Sequence, residues 1–190
     1  MPHFVPLVEP KWPSFQWGSD SSMNHPAARL FLGAVLLSGC SESAEPSPGM
    51  FRAQLEGARV ATLSGPSNAG PTFTEEFPEP RFTIRMFASQ GDTIRAIVIG
   101  CRGEQPPPSG TYAVDPSGSG CVGSYSRSIA TPDVGAIVLE QTTASAGSVR
   151  ITESGAGQTS GTFDFSGILV VGSASLGTLD VSGVFSAQVL

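Results

Sequence analysis

From Met50 onward, apolar and polar residues alternate with a period of two, and no long stretch repeats apolar positions at helical spacing. The pattern predicts strands. Phe82, Ile84 and Met86 alternate with Arg81, Thr83 and Arg85, and Ser89–Asp92 then separates this run from Thr93–Ile99, which is a hairpin signature. Ile97-Val98-Ile99 is apolar at successive positions, so that strand is expected to have both faces covered, as an interior strand of a layered structure. Further strands are expected at Phe51–Leu55, Ala58–Leu63, Thr111–Val114, Gly135–Gln141, Ser148–Thr152, Thr162–Val170 and Leu179–Gln188. About nine short strands predict one all-β domain over residues 50–190, an antiparallel β-sandwich of jelly-roll or immunoglobulin-like type, with a β-barrel as the alternative.

Two segments echo each other, Ser160-Gly161-Thr162-Phe163 and Ser182-Gly183-Val184-Phe185, with Ser109-Gly110-Thr111-Tyr112 a looser third. A glycine two residues before an inward aromatic suits a bulge, or a place where a ring from the next strand lies over bare backbone. Phe163, Phe165, Leu179, Val181 and Phe185 are therefore expected in the core.

The amino-terminal part has a different pattern. The run Leu30–Leu37 is continuously apolar, but at ~1.5 Å per residue its eight or so residues cover only ~12 Å, against the ~30 Å of a bilayer core. It reads as the apolar part of a signal-peptide helix over about residues 26–38, and Asn24–Arg29, with one positive charge, precedes the run. Leu37-Ser38-Gly39-Cys40 resembles the lipobox of bacterial lipoproteins. That resemblance implies a start at Met23, a signal peptide over 23–39, and lipidation of Cys40 after cleavage. It leaves 1–22 as a misassigned upstream extension. Ser41 after the cysteine implies sorting to the outer membrane. Residues 40–49, ending in the polar, proline-bearing SESAEPSPG, are expected to be a flexible tether. The turn Pro108-Ser109-Gly110-Thr111-Tyr112 and the later Ser-Gly-x-Phe strands resemble small β-rich lipoprotein domains, a likeness that brings no activity with it.

Charge and processing narrow the chemistry. Ten basic against sixteen acidic residues, a formal charge of -6, give no source for the counterion release that drives nucleic-acid binding. The membrane partner is expected through acyl chains rather than lipid headgroups. Removal of residues 1–39 takes away His3 and His25, Trp12 and Trp17, and Lys11, the only lysine. Serine and cysteine triads, most catalytic zinc sites and Schiff-base chemistry go with them.

What remains is modest. Cys101 and Cys121 are expected to form a disulfide in an oxidising compartment, closing Arg102–Gly120 and contributing ~3 kcal/mol in the chain-entropy model, with two buried thiols as the alternative. Gly118-Ser119-Gly120-Cys121-Val122-Gly123 matches a dinucleotide fingerprint, but the polar Ser124–Pro132 that follows is not a phosphate-facing helix. Glu75, Glu76 and Glu79 lack the spacing of a calcium loop and read as an acidic solvated segment. Asp164 and Asp180 alternate with apolar neighbours and are expected to face outward; as a carboxylate pair they could serve a glycosidase.

The expected function is a non-catalytic binding or structural module of the cell envelope, without cofactor or metal, facing a protein or glycan ligand. A small-molecule or lipid carrier with a β-barrel interior is the second reading, and a carboxylate-dependent hydrolase the third. An enclosed cavity of about 300 Å³ lined by Ile, Val and Phe would mark the carrier.

Overall fold

Alternation of side chains along nine strands builds the domain, seen in a computed structural model that describes residues 45–190 except 75, 76, 118 and 134, with the side chains of 73–78 also left out. The expected signal-peptide helix and Cys40 lie outside the described residues. The strands are β1 (Met50–Gly57), β2 (Ala61–Thr74), β3 (Phe77–Gln90), β4 (Thr93–Arg102), β5 (Gly110–Ala113), β6 (Cys121–Thr131), β7 (Gly135–Ser154), β8 (Gln158–Val171) and β9 (Ala174–Val189). Hydrogen bonding links them in the order β5-β7-β6-β4-β3-β2-β1-β9-β8, and β7 pairs with β8 as well.

That last pairing closes eight strands into an antiparallel, up-and-down barrel, with β5 laid on the free edge of β7 beyond β6. The expected sandwich is thereby corrected to its barrel alternative. A sandwich needs two sheets with edges, whereas here the pairings of β1 with β9 and of β7 with β8 leave the main sheet none. Length and bulges make closure possible. β7 runs for 20 residues and its register shifts between Ala144 and Ala146 and between Ile151 and Glu153, bends that wrap a single strand around the barrel. The sequence pattern split it into Gly135–Gln141 and Ser148–Thr152, because the buried inward residues between them, Thr142 and Ala144, are polar or small.

The interior is filled by inward side chains from every wall. Phe51, Leu55, Ile84, Met86, Ile97, Ile99, Leu169, Leu179 and Phe185 are all fully buried. The echoing segments explain themselves in register. Phe163 stands opposite Gly183, and Gly161 opposite Phe185. Each phenylalanine ring lies against the bare backbone across from it: a Cβ on Gly183 would come within 2.9 Å of Phe163 Cζ, and one on Gly161 within 3.1 Å of Phe185 Cζ. Phe163 also stacks with Phe165, their ring centroids 6.3 Å apart. The third echo has another purpose: Tyr112 donates its hydroxyl hydrogen bond to Pro108 O at 2.7 Å, closing the Pro-x-Gly-x-Tyr turn that leads into β5.

At one end of the barrel lie the start of β1, the β7–β8 turn and the disulfide region. The β1–β2, β3–β4, β6–β7 and β8–β9 turns make the other end, here called the distal mouth. The tether is shorter than its composition suggests, because Pro46 is buried and Gly49 N–H donates to Ser186 O at 2.6 Å.

Candidate functional site

Two places concentrate polar groups where packing alone would not put them. The first is a cleft of about 310 Å³ on the outer wall, where β2, β3, β4, β6 and β7 turn outward Thr72, Arg81, Thr83, Arg85, Val98, Val122, Ser124 and Thr143. Its floor is apolar at Val98 and Val122, and Pro116 forms its rim. Gly100 leaves the space in which the Arg81 stem lies flat, and Arg81 Nη1 donates to Gly100 O at 3.2 Å. Arg85 Nη2 donates to Thr72 Oγ1.

The rim is held in place by the β4–β6 connection. Cys101 and Cys121 are directly opposed in register and joined by a disulfide. Arg102 N–H donates to Gly120 O at 3.3 Å, and Asp115 N–H to Cys121 O at 3.0 Å. Ser117 and Ser119 hydroxyls both donate to the Asp115 carboxylate, fixing the turn that carries Pro116.

The second place is the distal mouth. Alternation past Ile99, Ile97 and Tyr125 turns Arg95 of β4 and Arg127 of β6 inward, directly opposite each other, and Glu140 of β7 is opposite Arg127. The Glu140 side chain is 0% exposed. Arg59 reaches it from the β1–β2 turn, on the opposite side of the ring, with Nη2 donating to Oε2 at 2.6 Å. Tyr125 donates its hydroxyl to Oε1 at 3.1 Å, and Arg127 Nε lies 3.1 Å from the same oxygen without hydrogen-bond alignment. Burial by itself raises the Glu140 pKa, but the hydrogen bonds from Arg59 and Tyr125 and the charges of Arg127 and Arg59 outweigh it and hold it below 4.5. Tyr125 is pushed from 10.0 up to about 12, first by burial and then by the charge and hydrogen bond of Glu140.

The residues singled out in the sequence fall in several places. Gly120 and Gly123 of the fingerprint flank the start of a strand; no helix follows, and a Cβ on Gly120 would meet Ala113 O at 2.7 Å. Glu79 pairs with Arg102 on the surface, while the side chains of Glu75 and Glu76 lie outside the described residues. No group of three His, Cys, Asp or Glu placed to hold a metal occurs among the described residues.

Asp164 and Asp180 do share the outer face of the β8–β9 hairpin as diagonal neighbours, opposite Ser182 and Ser166. They line a shallow depression of about 320 Å³, and Asp164 accepts a hydrogen bond from Ser148 Oγ at 2.7 Å. Sequence reasoning missed both the cleft and the mouth. The one available signal was Val98, an apolar residue facing outward between Ile97 and Ile99: its outer cover is the cleft, not a second layer. No protein-family model, curated protein or solved structure matches this chain.

Proposed function

We propose that this protein is a small-molecule carrier of the cell envelope, anchored through Cys40, that holds its ligand in the outer-wall cleft without converting it. The observation that carries the reading is the cleft itself, about 310 Å³ with an apolar floor at Val98 and Val122 and cationic and hydroxyl groups at its edges. Its size suits a carrier, but its lining is not the Ile, Val and Phe interior expected from the sequence; those side chains fill the centre of the barrel. The chemistry fits a compact, largely apolar molecule with an acceptor group turned toward Arg85. The disulfide-clamped rim is pre-organised, which lowers the ordering cost of binding.

An uncharged fluorescent probe, N-phenylnaphthylamine, tests the cleft. Parent protein should give saturable fluorescence enhancement. Ser124→Phe, an outward substitution that fills the cleft and leaves the core untouched, should weaken the probe about tenfold, ~1.4 kcal/mol, without moving the unfolding midpoint. Equal affinity in the two proteins would overturn the assignment.

A further inference from the structure

We propose that the distal mouth is an oxyanion site, in which Arg95 and Arg127, with Arg59 at the rim, bind the oxygens of a phosphate group. The inference is independent of the outer-wall cleft, since no residue is shared. Its first ground is charge. Two guanidinium groups, Arg59 and Arg127, meet a single carboxylate, Glu140, and a third, Arg95, stands in register opposite Arg127, in a protein that is acidic overall. Asp92 and Asp133, on turns at the same end, make no ion pair with them.

The second ground is register. Arg95 and Arg127 face each other across β4 and β6, an arrangement that places like charges ~5 Å apart at Cβ and is destabilising unless something offsets it. Glu140 serves Arg127, Arg59 and Tyr125, whereas no described residue offers Arg95 a hydrogen bond or an ion pair.

The third ground is hydrogen bonding. Arg59 Nε and Arg127 Nε are buried and make no hydrogen bond, the second having only the misaligned Glu140 Oε1 at 3.1 Å beside it. Buried donors of this kind call for an acceptor, and the fork of a guanidinium matches a phosphate or carboxylate edge. The groups can also be reached, since the Arg59 side chain is 41% exposed and that of Arg127 29%. Glu140 then acts as the fixed counter-charge that orients Arg59 and Arg127, leaving their outer edges and Arg95 for the ligand.

The same phosphate chemistry occurs as a free ion and as a lipid headgroup, so the test has two arms on the full chain. In the first, inorganic phosphate should raise the unfolding midpoint of the parent by more than sodium chloride at equal ionic strength, and Arg95→Gln should lose that excess while the outward Arg52→Gln keeps it. In the second, vesicles of phosphatidylglycerol should retain the parent more than vesicles of phosphatidylcholine, again with loss in Arg95→Gln and not in Arg52→Gln. A response in the first arm identifies a free anion and a response in the second alone a headgroup.

Phenylglyoxal labelling read by mass spectrometry needs no variant. The phosphate source that binds should protect Arg95 and Arg127 at least threefold over Arg52 and Arg150. No selective response in either arm, or equal labelling of all four arginines with and without both ligands, overturns the site.

Discussion

The β8–β9 hairpin and the β6–β7 hairpin occupy neighbouring parts of one barrel and are built by opposite means. In β8–β9 the inward positions include Gly161, Phe163, Phe165, Leu169, Leu179, Val181, Gly183 and Phe185, a surface of rings and glycines that fit each other across the register. In β6–β7 the inward positions include Gly123, Tyr125, Arg127, Glu140 and Thr142. One hairpin is held by apolar area and shape. The other buries charge, and must return the cost of desolvation through ion pairs and hydrogen bonds. Such a wall adds little net stability, so its presence is better explained by what it can bind than by what it holds together.

Removing a ring should expose that contrast most strongly. Phe185→Ala would leave a cavity beside Gly161 and Phe163, and should cost about 3–5 kcal/mol, a large part of the ~5–15 kcal/mol that holds a domain together. Phe163→Ala should be similar. Chemical denaturation measures both, and midpoints equal to the parent would mean that β8–β9 is not held by packing at all.

The same contrast decides what could be read from the chain. β8 and β9 were legible to within a residue at their ends, though four and five residues late at their starts, because apolar residues at alternate positions are the visible sign of one buried face. β6 was not: Ser124, Ser126 and Ser128 face outward and Arg127 inward, so polar residues occupy both faces and the stretch reads as a loop. Ala58–Leu63 was expected as one strand, yet β2 begins at Ala61, because Gly57 takes φ +86° and turns the chain so that Ala58–Val60 cross to the next strand. β2 continues through Pro66 and Pro71, which punctuate a sequence but do not stop a strand where their missing N–H is not needed. The distal mouth was invisible for a more general reason. Arg59, Arg95, Arg127 and Glu140 are scattered over 81 residues, and only the barrel's closure brings them together.

The disulfide belongs to the weaker wall, and its loss should be felt there. Cys101→Ser together with Cys121→Ser should cost about 3 kcal/mol in the chain-entropy model and free the rim that carries Pro116, so the neutral probe should bind more weakly as well. Mass spectrometry of the unreduced protein should find the two cysteine peptides linked. Two alkylated thiols would remove the clamp from the argument and leave β4–β6 to its hydrogen bonds.

Glu140→Gln should come next, at about 2 kcal/mol. Removing one partner of a fully buried pair costs about 3–5 kcal/mol, but here Arg59 and Arg127 are partly solvated and recover some hydration. The pH profile gives the sharper reading. The carboxyl is held below 4.5 in the folded protein, so its contribution is present above that value and fades as the pH falls through the lowered pKa. Glu140→Gln should lack that component of the acid limb, whereas Phe185→Ala should keep it. An acid limb unchanged in Glu140→Gln would show that the ionic wall does not depend on this carboxylate.

Tyr125→Phe should have the smallest effect at neutral pH, because the ring stays buried and only one hydrogen bond to Glu140 is lost, worth about 1.5 kcal/mol at the low end for a charged acceptor. Its signature lies in alkali. The phenol has a folded-state pKa raised from 10.0 to about 12, so the stability it confers is complete below pH 10 and is lost as the pH climbs through 12, when an ionised phenolate would face the Glu140 carboxylate without solvent between them. Parent protein should therefore unfold more easily across that window, and Tyr125→Phe should lose less stability there than the parent does. Because Tyr112 is half-buried and donates its hydroxyl to a backbone carbonyl rather than a carboxylate, Tyr112→Phe serves as the control and should leave the alkaline fall in place. If both variants retained it, the alkaline limb would not arise from Tyr125, and the hydrogen bond between Tyr125 and Glu140 would have to be struck from the forces that close the distal mouth.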